Sequence, residues 1–265
     1  MSIVQTIVIA IIEGLTEFLP ISSTGHMIIT SSLLGIEKNE FVKLFEIAIQ
    51  LGAIISIVIL YWSKFFDFKK WQFYFKLLIA VIPALLFGKL FSDKIDDLLE
   101  SPTTVAISLI VGGIFLLFVD TIFTKSFITE EKDISYSKAF IIGLFQCIAM
   151  IPGVSRSAAS IIGGMSQQLN RKIAAEFSFF LAVPTMVAAT GYKLLKTLKT
   201  NPEILKDKNN LMLLGLGNIV AFLVALIAVK FFIGYLQKNG FKIFGWYRII
   251  LGTIVLILLL SKQII

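Results

Sequence analysis

The sequence predicts an all-α polytopic membrane protein, with six transmembrane helices plus two re-entrant helix–loop–helix hairpins in an inverted repeat. Three observations carry this. The chain of 265 residues is 57% apolar and only 15% charged, whereas a soluble domain carries about a quarter charged residues. The apolar residues come in long blocks, not in the short alternating segments of a transmembrane barrel. Two of these blocks are broken by polar motifs around Pro20 and Pro152, and a shift of 132 positions lays one proline on the other.

Taken in order, Ile3–Leu19 is apolar and stops at Pro20, and a short apolar piece, His26–Leu34, follows. Ile3–Ile12 lacks the basic flank of a leader, so it reads as part of this first hairpin. Three spans come next, Phe41–Trp62, Phe75–Phe91 and Thr103–Phe123. The second break then divides Ala139–Ile151 from Ser157–Met165, and three more spans follow, Ile173–Leu195, Leu211–Ile233 and Trp246–Leu260. A crossing helix needs about 20 apolar residues, so the second piece after each break is too short to cross. One kinked helix through each proline is the simpler alternative. Gly, Ser and Thr crowd both prolines, which favours a hairpin whose irregular turn is buried in protein. Trp62, Trp71, Trp246 and Tyr247 suit interfacial anchors.

The 132-residue shift also places Ser23 on Ser155 and the span Phe41–Trp62 on Ile173–Leu194. The chain thus reads as a single integral membrane domain over residues 1–265, with repeat one at about 1–125 and repeat two at about 134–265. A hairpin adds no net crossing and three spans add an odd number, so the second half sits upside down. Transporters use this architecture to bring broken helices together. Ten lysines, Lys262 among them, fall on the side of the N-terminus, against thirteen basic residues on the other, Lys69 and Arg248 among them. The positive-inside rule makes the second side cytoplasmic and puts both termini outside.

The net charge of +7 comes from loop lysines, and no basic helix or aromatic-basic module accompanies it. This excludes a nucleic-acid partner. The single Cys147 cannot form an internal disulfide and says nothing of compartment. The sequence sets no oligomeric state.

The breaks carry the chemistry. Ionisable groups within membrane segments mark functional sites by default. Glu13 and Glu17 are four apart and share a helix face. Together they need a divalent cation, an arginine or a shared proton, and hard carboxylate oxygens suit Mg²⁺ or Ca²⁺ with substrate phosphate completing the shell. Ser22, Ser23 and Thr24 precede a short helix whose start can hold an anion, though Ser22 and Thr24 can equally be caps alone. His26, the only histidine, can act as nucleophile or general acid. Ser155, Arg156 and Ser157 repeat the cap and add a guanidinium suited to phosphate, with a structural ion pair to Glu13 or Glu17 as its other reading. Ser160, four after Arg156, can donate to the same anion. Glu46 and Gln50 share a span face that can border the site. Asp120 reads as interfacial, and Glu176 as a surface partner of Arg171 and Lys172.

The stretches from Glu13-Gly-Leu-Thr-Glu17-Phe-Leu-Pro20 to Gly25-His26, and Pro152-Gly-Val-Ser155-Arg156-Ser157, resemble the two signatures of undecaprenyl-diphosphate phosphatase, the bacitracin-resistance protein family. The resemblance extends over the whole chain in length, span order and motif placement. It implies hydrolysis of the C55 isoprenyl diphosphate, recycling of the carrier lipid for cell-wall synthesis, and bacitracin resistance. It also implies a divalent cation and a site in the bacterial plasma membrane that opens outward. The family's functional residues fall on Glu13, Glu17, Ser23, His26, Ser155, Arg156 and Ser160. Ala158 and Ser160 stand where many members have Gly and Thr. On this reading Arg156 and the two helix starts hold the diphosphate of a long-chain isoprenyl lipid. His26 is the first choice of nucleophile, and Ser23, with His26 as base, the second. The rival class is a polyprenyl-phosphate flippase on the same repeat, which has less need of a Glu pair beside a histidine. A structural scaffold leaves the buried charges unexplained.

Overall fold

The computed structural model describes residues 1–67, 70–99 and 101–261, so Lys69 and Lys262 of the charge tally lie outside the described residues. The principal helices are α1 (Ile3–Thr16), α2 (Ser23–Leu33), α3 (Glu40–Leu60), α4 (Trp71–Leu90), α5 (Pro102–Ile122), α6 (Tyr136–Cys147), α7 (Arg156–Ser166), α8 (Arg171–Thr200), α9 (Lys208–Asn239) and α10 (Lys242–Leu260). Among the described residues α3, α4, α5, α8, α9 and α10 are long and apolar enough to cross a membrane. These are the six expected spans, mostly with their ends moved outward. Polar caps set the starts. Ser101 accepts from Thr104 N with Pro102 in the first turn, Asn170 accepts from Ile173 N, and Asp207 accepts from Asn209 N. Such caps satisfy the free N–H groups of a helix start, and they lie just beyond what an apolar window detects.

Each break folds as a helical hairpin. α1 and α2 flank the first, and Met27 of α2 packs with Ile9 and Ala10 of α1. α6 and α7 flank the second, with a tight turn at Ile148–Met150. Lys138 Nζ, in the first turn of α6, donates to Gln167 O just past the end of α7 (2.9 Å). Both arms therefore return to the same end.

The spans show the register that such hairpins leave. Along α3 and α8, Thr190 Oγ1 donates to Ile47 O (3.2 Å), while the rings of Tyr61 and Phe180 meet edge to face. Along α5 and α10, Ala106 faces Gly252 and Gly113 faces Gly245. Both pairs are antiparallel. Since α8 and α9 cross twice between them, α5 and α10 oppose each other only if the α6–α7 hairpin adds no crossing. The starts of α3 and α8 also lie at opposite ends of the bundle.

The two halves interlock. α1 packs along α9, and α6 packs along α4. Each contact is close because a glycine makes it. A Cβ on Gly14 would lie 2.7 Å from Ala221 O, and one on Gly143 would overlap Ala80 O. Small residues give membrane helices this backbone approach. Each hairpin is thus pinned to the second span of the other half, and this brings the two breaks together.

Candidate active site

The repeat predicts that Ser23 matches Ser155. The local geometry shifts that match by one. The residues that cap α2 and α7 are Ser22 and Ser155, with φ of 70° and 77°. Ser22 Oγ accepts from Gly25 N and Ser155 Oγ from Ala158 N, both at 3.2 Å. A left-handed serine costs about 1–3 kcal/mol, and the chain adopts it at the same place in both halves. Ser23 therefore matches Arg156, each being the first residue of its short helix. One extra residue between proline and cap in the second break accounts for the shift.

The breaks meet directly. Ser157 Oγ donates to Leu19 O (2.7 Å), and Ser155 Oγ approaches the same carbonyl at 3.5 Å. Arg156 Nη2 donates to Glu17 Oε1 (2.9 Å). Ser23 Oγ donates to Glu17 Oε2 (2.5 Å). Arg156 Nη1 donates to Ser178 O (3.0 Å), and Ser160 Oγ bonds Ser178 Oγ (2.6 Å). Arg156 Nε is buried with no hydrogen-bond partner among the described residues. A cavity of about 160 Å³ opens here, lined by Glu17, Ser22, Ser23, Thr24, Ser155 and Arg156. Two helix starts, a guanidinium with an uncommitted donor and a carboxylate-bonded hydroxyl thus surround one space. Helix starts and arginine both attract phosphate.

The other expected residues lie around this centre. Glu13 is fully buried, and neither carboxylate oxygen has a partner among the described residues. His26 points elsewhere. Its Nδ1 lies 2.7 Å from Ser22 O and its Nε2 2.7 Å from Tyr247 Oη, so both nitrogens are engaged outside the cavity lining. Ser157 and Ser160 are fully buried and line no part of the cavity. Their hydroxyls bond Leu19 O, Arg156 O and Ser178 Oγ, and so hold the breaks and Arg156 in place. Glu46 and Gln50 border a second, larger cavity of about 500 Å³ that shares Thr24 with the first.

Arg248, counted above among the basic loop residues, is corrected by the structure. It is fully buried inside α10. It donates to Pro20 O (3.3 Å) in the first break and to Gly153 O (2.7 Å) and Val154 O (2.9 Å) in the second. Its remaining donors reach Ser108 O (3.1 Å) and Leu109 O (3.4 Å) of α5. The carbonyls freed where two helices break are gathered by one guanidinium. The interfacial reading of Trp246 and Tyr247 hid it, although a charge inside an apolar run is itself a signal. Tyr247 and Ser178 were missed too, since a tyrosine near a span end and a serine within a span fit ordinary packing. Glu176 is likewise corrected. It is buried and pairs with Lys64 (3.2 Å), while Arg171 pairs with Asp120 (2.7 Å). Asp120 also accepts from Phe241 N (2.9 Å), so it fastens α5 to the starts of α8 and α10.

The clamp role gives a stability prediction. Arg248→Ala strands three loop carbonyls, at roughly 1–3 kcal/mol each. The melting temperature in detergent should fall by at least about 5 °C. Gly112→Ala should act in the same direction, because the added Cβ overlaps the Arg248 guanidinium. Thermal shift of both variants checks this, and unchanged melting of Arg248→Ala would remove the clamp.

The chain is thus a multi-pass helical membrane protein with a guanidinium, a carboxylate and two helix starts around one cavity. The chain belongs to the family described as Bacitracin resistance protein BacA, whose model matches residues 6–254. It is 61% identical to the Undecaprenyl-diphosphatase of Flavobacterium psychrophilum over 258 residues, which cover 97% of this chain and 96% of that protein. Identity is 50% to the Undecaprenyl-diphosphatase of Porphyromonas gingivalis, over 98% of each chain. It is 46% to that of Aquifex aeolicus, over 94% of this chain and 96% of that protein.

Proposed function

We propose that the protein hydrolyses undecaprenyl diphosphate to undecaprenyl phosphate and inorganic phosphate, returning the carrier lipid to cell-wall synthesis and conferring resistance to bacitracin. The observation that carries the site assignment is the Arg156–Glu17–Ser23 chain of contacts at 2.9 and 2.5 Å, at the meeting of two helix starts. The test is phosphate release from undecaprenyl diphosphate by the purified protein in detergent, where no membrane remains to be crossed.

The geometry favours Ser23 over His26 as the nucleophile. Ser23 faces the cavity with its hydroxyl on a carboxylate, whereas His26 faces Tyr247. In the proposed reaction Ser23 Oγ passes its proton to Glu17 and forms a bond to the terminal phosphorus. The bond from that phosphorus to the bridging oxygen breaks, and undecaprenyl phosphate leaves. Water then attacks the phosphoserine, releasing inorganic phosphate and restoring the hydroxyl. Arg156 Nε, with the first-turn N–H groups of α2 and α7, neutralises the equatorial oxygens, which is where phosphoryl transfer gains most. His26 holds the Ser22 carbonyl and so sets the cap beside the nucleophile.

A divalent cation fits this centre in part. The orphaned oxygens of buried Glu13 are suited to Mg²⁺ or Ca²⁺. Glu17 would join them if Arg156 turned to the substrate. Among the described residues no group of three or more His, Cys, Asp or Glu gathers, so phosphate oxygens and water would complete the shell. When bound, the ion would neutralise charge on the diphosphate. Glu13→Gln should therefore raise the Mg²⁺ needed for half-maximal activity at least about tenfold, roughly 1.4 kcal/mol of binding. A titration of activity against Mg²⁺ reads this, and an unchanged midpoint would count against Glu13 as a ligand.

We also place the protein in the bacterial plasma membrane with the active site open to the outer face. The reading is supported by the larger cavity, which is lined by Glu37, Lys38 and Glu40 and shares Thr24 with the site. Cysteine labelling in intact cells should reach residues 36–40 from outside and residues 167–171 only after lysis. Labelling of both loops from one side would refute the inverted arrangement.

A further inference from the structure

We propose that the catalytic cavity also holds the first isoprene unit of the substrate, on an apolar wall made by Ile95, Met150 and Met186, and that the lipid tail leaves past the second break. The proposal rests on the hydrolase reading and extends it to the tail. An isoprenyl diphosphate joins its charged head to its apolar chain with no spacer. A site that grips the head must therefore offer apolar surface within a few ångströms of the arginine. The cavity does so. Besides Glu17, Ser23 and Arg156 it is lined by Ile95, Ala149, Met150 and Met186. These come from three separate elements, the short helix Ser92–Leu99, the turn Ile148–Met150 and α8.

The wall continues outward. The Met150 methyl group lies 3.8 Å from where a Cβ on Gly88 of α4 would stand, so it lies close to the end of α4. Close to these lining residues in the chain, Phe91, Ile148 and Ile151 are 42%, 50% and 41% exposed. An apolar track thus runs from Arg156, between the end of α4 and the second break, to the lipid-facing surface. Methionines suit a flexible chain, since they fill irregular space with a polarisable surface. The neighbouring 500 Å³ space, which shares Thr24 with the cavity, is lined by Lys38, Lys43, Lys193 and Lys196 together with Glu37, Glu40 and Glu46. A charged lining repels hydrocarbon and suits water and departing phosphate.

The test uses a C15 isoprenyl diphosphate carrying a diazirine on its first isoprene unit, irradiated with the purified protein. Label that unmodified C15 diphosphate displaces should fall on peptides holding Ile95, Met150 or Met186. Label on α2 or α3 peptides facing the lysine-rimmed space, or no displaceable label, overturns the assignment. Phosphate release from the same probe in the dark judges the hydrolase reading separately, and the position of the label reads the tail whichever way that falls. In the double variant Met150→Ala, Met186→Ala the KM for C15 isoprenyl diphosphate should rise at least tenfold, and an unchanged KM overturns the wall.

Discussion

Arg156→Ala should lower kcat/KM for undecaprenyl diphosphate by at least about 10³-fold, roughly 4 kcal/mol of lost transition-state stabilisation. Two losses add. The substrate loses the one guanidinium that lines the cavity, including the buried Nε that has no partner among the described residues. Glu17, almost fully buried, loses the cation that compensates it, and an uncompensated buried charge is strongly unfavourable. Arg156→Lys keeps the charge but cannot reach Glu17 Oε1 and Ser178 O together, as Nη2 and Nη1 do at 2.9 and 3.0 Å. It should still lose at least about tenfold, or ~1.4 kcal/mol. Steady-state kinetics in detergent measures both. Full activity in the lysine variant would show that only charge matters and that the planar fork does not.

Ser23→Ala should have the larger effect still, about 10³- to 10⁴-fold on kcat, because a covalent route loses its attacking atom. The substitution removes one hydroxyl and leaves the Ser22 cap and the Arg156–Glu17 pair in place. KM should therefore change little while kcat collapses. His26→Gln provides the comparison. If the imidazole only supports the Ser22 carbonyl, kcat should fall about 10- to 100-fold, well short of a missing nucleophile. A phosphoserine trapped by acid quench and mapped to Ser23 would be direct support. Near-normal kcat in Ser23→Ala, with loss confined to His26→Gln, would restore histidine as the attacking group.

Much of this was legible in the sequence for physical reasons. Hydrocarbon penalises polar groups so strongly that Glu13, Glu17, Arg156 and the two proline breaks stand out from an apolar background. The six spans follow from length and composition alone. The convergence of the breaks follows from the repeat and an odd number of crossings, and Ser157 on Leu19 O is its realisation. What escaped the sequence was side-chain direction. Ser157 and Ser160 have the residue type of anion donors but spend their hydroxyls on Leu19 O, Arg156 O and Ser178. His26 sits in the first turn of α2, as expected, yet one helical turn can face either of two neighbours, and Tyr247 takes it. Arg248 escaped because two aromatic residues before it imitate a membrane boundary. The one-residue slip between Ser23 and Ser155 escaped because a fixed offset cannot register an extra residue within a turn.

The central claim is that this site cuts the diphosphate and does not merely carry it. Wild-type protein and Glu17→Gln, purified in detergent and both shown to bind undecaprenyl diphosphate, should be compared for phosphate release over the same time course. The account predicts steady release by the wild type, and release from Glu17→Gln at least about 10³-fold slower, since the serine then has no base. Binding without release by the wild type, or equal release by both proteins, would contradict it.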